Sequence, residues 1–136
     1  YGAGIYAEEF TRRTYDRLLA TTRQLLAAGR SVVVDASFGR RQERDRFRQA
    51  AAEAGVRCLI AWTDCPRQTA LERLDRRQAA GRDPSDGRRQ LFDRQAARFE
   101  APTEEADVMP VDTSRDVDYN VQDLLGEIIE RGGEDR

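Results

Sequence analysis

Three groups of residues could do chemistry. The first is Asp35, which closes the run Ser31-Val32-Val33-Val34-Asp35-Ala36. Open α/β sheets bind ligands at the C-terminal ends of their strands, and a carboxylate there can hold the water shell of Mg²⁺ beside a nucleotide phosphate. The second group is Ser37 with Arg40, Arg41 and Arg44, which begin the next helix. Ser37 can hydrogen-bond a phosphate or a substrate hydroxyl, and Arg44 is expected to face back toward the strand end. The third is Arg73, Arg76, Arg77 and Arg82, leading into Asp83-Pro84-Ser85-Asp86. Arg73 and Arg77 are four apart and share a helix face. With the glycine-containing loop that follows, they could form a lid that brings positive charge to a transferring phosphoryl group. Each group also has a structural alternative: a capping carboxylate, or a solvated arginine face paired with Glu72 and Asp75.

Composition narrows the chemistry. All 23 basic residues are arginine, and the 136 residues contain no lysine and no histidine. That excludes a Ser-His-Asp triad, an imidazole metal site, a Schiff base and a complete glycine-rich, lysine-ending phosphate loop within these residues. Anions must be met by guanidinium groups. Cys58 and Cys65 cannot hold a metal alone and read as reduced thiols in a cytoplasmic protein. No apolar run nears the length of a membrane span, and the start of these residues does not lead us to expect a signal peptide. Charge is uneven: residues 1 to 100 hold 20 Arg against 14 acids, and residues 101 to 136 hold 3 against 11. A basic body with an acidic tail is compatible with a bound polyanion. The arginine-rich helices lack interleaved aromatics, so nucleic acid is not the favoured partner.

The elements that must position these groups alternate. Phe10, Tyr15, Leu18, Leu19, Leu25 and Leu26 recur near helical spacing, which predicts a helix over 7 to 28 that stops at Gly29. Tyr15 reads as core. The valine run at 31 to 36 predicts a strand buried on both faces. A helix at 40 to 54 ends at Gly55, and a second buried strand runs from 56 to 63. A third helix, at 67 to 80, follows Asp64-Cys65-Pro66, with Asp64 as its candidate cap. Residues 81 to 87 read as a loop. A fourth helix spans 85 to 99, with Phe92 and Phe99 as core. A third strand lies at 107 to 112, where Pro110 marks an edge or an interruption. The last helix covers 116 to 129. The expected fold is α/β, a parallel sheet with helical crossovers.

These segments resemble a known family. The start, Tyr1-Gly2-Ala3-Gly4-Ile5-Tyr6, is followed by Thr11-Arg12-Arg13-Thr14-Tyr15-Asp16-Arg17-Leu18-Leu19. Then come Gly29 to Phe38 with Arg44, Glu72-Arg73-Leu74 and Asp83-Pro84-Ser85-Asp86. Together they look like the C-terminal two-thirds of an AAA-type P-loop kinase domain, a group that includes zeta-toxin-like and polynucleotide-kinase-like proteins. The resemblance covers residues 1 to 130, with 131 to 136 as a frayed tail. It implies ATP and Mg²⁺ as cofactors and a small-molecule or nucleotide hydroxyl as phosphoryl acceptor. It also implies that Asp35 is the Walker-B-like carboxylate, and that Ser37 and Arg44 are substrate-side groups. Arg73, Arg77 and Arg82 would be lid arginines, and Thr113, Ser114 and Arg115 would lie near the adenine.

Such domains carry their phosphate loop, its lysine and usually the base upstream of the matching region. The phosphate-loop strand normally sits between the strands expected at 31 to 36 and 56 to 63. The expectations are therefore a portion of a longer domain, inactive as given, with an unpaired strand edge open to homo-oligomer formation. A non-catalytic, arginine-rich module that binds nucleic acid or another polyanion is the alternative.

Overall fold

The computed structural model describes residues 2–79 and 88–133. The chain divides into two compact units, one of residues 1–58 with 99–101, the other of residues 59–98 with 102–136.

The first unit is built on two helices, α1 (Gly2–Ala27) and α2 (Arg41–Glu53). Both stop where the sequence demands it. Gly29 and Gly55 take positive φ, 71° and 66°, which costs glycine nothing and other residues about 1–2 kcal/mol. The Arg30 amide then reaches the Leu25 carbonyl, and the Val56 amide the Ala51 carbonyl, so the last turns close on themselves. Tyr15 and Leu19 of α1 pack against Phe47 and Ala50 of α2. Phe38 adds edge-on ring contacts to both Tyr15 and Phe47. Arg46 binds Asp16 at 2.6 Å and Arg23 binds Glu53 at 3.0 Å, which ties the helices together at the surface. Residues 99–101 return to this unit. The Glu100 amide donates to the Gly39 carbonyl, and its carboxylate receives the Arg41 amide.

Between the helices the chain makes no strand and bends at Ala36 and again at Arg40. The expected strand at 31 to 36 is absent among the described residues. Its alternation is real: Val34, Ala36 and Phe38 pack on the helices, whereas Val33 is 96% exposed and Asp35 and Ser37 face outward. β-Branched residues set the backbone angles, but a strand also needs a neighbour for its amides and carbonyls, and no described segment supplies one. Burial on both faces is therefore corrected to burial on one. Phe10, at 73% exposed, also lies off the α1 core, and Phe99 is more exposed than expected.

The second unit holds a two-stranded parallel sheet. β1 (Ile60–Asp64) pairs with β2 (Val108–Asp112), Ile60 opposite Val108 and Asp64 opposite Asp112. Parallel strands need a crossover, and α3 (Arg67–Ala79) and α4 (Arg88–Arg98) lie within it. The strand expected from 56 to 63 begins four residues later, because the ladder starts only where the Ile60 amide meets the Asp107 carbonyl. Ala61 and Thr63 are exposed, so β1 too is open on one face. Pro110 sits opposite Trp62 without ending the ladder, since a strand of a two-stranded sheet has a free side for a missing N–H. Met109 and Val111 are buried. The chain closes with α5 (Val117–Gly133), longer than expected. Asp116 caps it, its carboxylate accepting the amides of Asp118 and Tyr119. No described helix is long and apolar enough to cross a membrane.

Candidate functional site

In the first unit, Asp35, Ser37 and Arg44 gather around one short loop. Asp35 and Ser37 are both exposed, on either side of a bend at Ala36. The loop is sharply held. Phe38 adopts φ 43°, an uncommon value for a side chain of its size. Both polar groups of its backbone are bound by side chains: its amide donates to Tyr15 Oη at 2.7 Å, and its carbonyl accepts from Arg44 Nη1 at 2.8 Å. Arg44 is 2% exposed, so it does not meet a ligand from solvent; it shapes the loop that carries Ser37. Tyr15 Oη also lies 3.1 Å from Ser37 Oγ. A groove of about 370 Å³ runs beside Asp35, bordered by Thr14, Arg17 and Thr22 of α1 and by Val32 and Val33.

The second unit offers a different arrangement. Parallel pairing in register ends both strands on carboxylates, Asp64 and Asp112, side by side at the C-terminal edge of the sheet. Thr113 knits the two strand ends together. Its amide donates to the Asp64 carbonyl at 2.8 Å, and its hydroxyl donates to the same oxygen at 3.0 Å. Arg73 of α3 forks over Thr113, with Nη1 on Oγ1 and Nη2 on the carbonyl. Arg73 is thus a strut between helix and loop. Arg77, one turn on, is exposed and makes no ion pair among the described residues. Ser114 donates its hydroxyl and its amide to Asp112 Oδ1, at 2.6 and 2.9 Å. Those two bonds hold the Asp112 carboxyl below the usual aspartate range; burial opposes them, and the Arg115 and Arg73 charges add lesser help. The Arg115 guanidinium stacks 3.7 Å above the centre of the Tyr119 ring.

Arg82 lies outside the described residues. Asp64 accepts the Cys65 amide and ends β1 instead of capping α3. Neither Cys58 nor Cys65 is in a disulfide.

Sequence reasoning missed three contributors. Tyr15 reads as core, yet its hydroxyl holds the Ser37–Phe38 loop. Asp64 carried the same signal as Asp35, an acid closing an apolar run. The Thr113 strut has no sequence signal, since its partners lie 40 and 49 residues away.

A nucleotide's Mg²⁺ needs few protein oxygens, because phosphates and water supply most of its shell. Among the described residues no three His, Cys, Asp or Glu side chains gather to cage an ion. The exposed Asp35 carboxylate fits an ion carried in on phosphates.

Comparison with known proteins gives one family. A search of curated proteins and a search of solved structures returned no match. The family model described as an AAA domain matches residues 3–102, which include Asp35, Ser37, Arg44, Arg73, Arg77 and Arg82. Thr113, Ser114 and Arg115 fall beyond the match. With most of its length inside that model and a parallel α/β architecture, the chain belongs to the AAA domain family, among its P-loop kinase-like members.

Proposed function

We propose that this chain serves in an ATP-dependent phosphotransferase that moves a γ-phosphoryl group to a small-molecule or nucleotide hydroxyl. The observation that carries the reading is the exposed Asp35 carboxylate, closing an extended valine run within the family match. Asp35 holds the coordinated water of Mg²⁺, and that ion offsets the phosphate charge. Ser37 donates to a phosphoryl oxygen or to the acceptor. Arg44 sets the loop from behind. Within the second unit, Arg73 keeps α3 in register with the loop at 113 to 115, and exposed Arg77 is the lid candidate. The lysine of the phosphate loop is not among these 136 residues, so the reading requires it from elsewhere in the polypeptide.

Calorimetric titration of the complete polypeptide with ATP, with and without Mg²⁺ and at two salt concentrations, tests this. The expected result is saturable binding that needs Mg²⁺ and is weakened at least tenfold by Asp35→Ala. Binding indifferent to Mg²⁺ and to Asp35, but falling steeply with salt, would instead mark an arginine surface for polyanions.

A further inference from the structure

Tyr15 is 5% exposed, and a buried hydroxyl must place both its lone pairs and its proton. A backbone amide can only donate. The Phe38 amide, 2.7 Å away, therefore makes Tyr15 Oη the acceptor of that bond. The phenolic proton still needs an oxygen. Among the described residues the one within reach is Ser37 Oγ, at 3.1 Å. Distance alone allows either hydroxyl to donate. If Ser37 donated, the Tyr15 proton would be left in the core with no acceptor, the costly outcome for a buried polar group. Tyr15 therefore donates and Ser37 accepts. The Ser37 proton is turned away from the core, toward the exposed side of the loop.

We propose that Tyr15 is a positioning residue that fixes Ser37 as an outward hydrogen-bond donor two residues beyond Asp35. The ligand group this suits is an oxygen without a proton of its own, of the phosphoryl class; that naming rests on the phosphotransferase reading, whereas the direction of the hydrogen bond does not. Two helices cooperate in the device. Tyr15 of α1 holds the Phe38 amide and the Ser37 hydroxyl, and Arg44 of α2 holds the Phe38 carbonyl. The loop can then neither flip its peptide nor rotate its serine without breaking one of these part-buried bonds.

The test is a double-mutant cycle on folding together with a spectroscopic signature, on the full chain. Ser37→Ala should lower the folding equilibrium constant about tenfold, because the Tyr15 proton loses its acceptor. In the Tyr15→Phe background the same change should have no effect beyond about twofold. Ser37→Thr, which keeps the hydroxyl, should restore the wild-type value. The tyrosine Fermi doublet in the Raman spectrum reports whether a phenol donates. It should lose donor character in Ser37→Ala and regain it in Ser37→Thr, a change that general loosening of the fold would not produce. Additive folding effects, or a doublet unchanged by Ser37→Ala, would overturn the proposal. Should Tyr15→Phe fail to fold, the doublets of Ser37→Ala and Ser37→Thr still decide. A phosphotransferase unaffected by Asp35→Ala, alongside the expected doublet, would remove the ligand assignment and leave the Tyr15 role standing.

Discussion

Replacing Thr113 by valine removes a hydroxyl and keeps the shape. That hydroxyl makes two bonds of 3.0 Å, one donated to the Asp64 carbonyl and one accepted from Arg73 Nη1. The Asp64 carbonyl keeps the Thr113 amide, so nothing is orphaned on β1. A net hydrogen bond contributes about 0.5–1.5 kcal/mol, and this corner is partly solvated, so the lower half of that range applies. Thr113→Val should therefore cost about 1–2 kcal/mol. Arg73→Ala removes both arms of the fork and the packing of the stem, at about 1.5–2.5 kcal/mol. The Nη1–Oγ1 bond is common to both changes, so the double variant should be less destabilised than the sum by about 0.5–1 kcal/mol. Urea unfolding measures all four states, with the midpoint shifting and the slope constant. Arg73→Lys restores the charge but cannot reproduce a planar fork, so it should recover half the loss at most. Additivity of the two single changes, or a neutral Arg73→Ala, would refute the strut.

Three further outcomes are expected. Gly55→Ala places a Cβ at φ 66° with no neighbour within 4 Å, so its cost is conformational alone, about 1–2 kcal/mol by urea unfolding. Asp116→Ala leaves the first amides of α5 without an acceptor and should cost about 1 kcal/mol, visible as loss of protection in hydrogen exchange at Asp118 and Tyr119. The Asp112 carboxyl should titrate below a free aspartate in an NMR pH series. Because its folded pKa is the lower one, its stabilising effect is present above the unfolded pKa and fades as pH falls through the folded one. Ser114→Ala should move the folded value up, and an unmoved titration would contradict the assigned cause.

The helices were legible because their signals are local. Gly29 and Gly55 stop α1 and α2 through left-handed backbone that only glycine adopts freely, and the apolar period located the faces carrying Tyr15, Leu19, Phe47 and Ala50. The valine run was legible as extended chain and as the bearer of Asp35. Whether it pairs was not, since pairing depends on a partner far along the chain or outside it. The same limit hid the fates of the arginines. Nothing in the residue type separates Arg44, buried on a carbonyl six residues back, from Arg73, bridging 40 residues, or from exposed Arg77. Tyr15 looked like core and is core; its hydroxyl acquires a second role only because the chain returns 22 residues later with a serine.

The phosphotransferase reading rests most directly on Asp35. Transfer of labelled γ-phosphoryl from ATP by the complete polypeptide, with Asp35→Ala compared at matched folded fraction, tests it. Removal of a group that helps hold the metal and its phosphates should lower turnover by about a hundredfold or more. Turnover unchanged by Asp35→Ala would contradict the assignment.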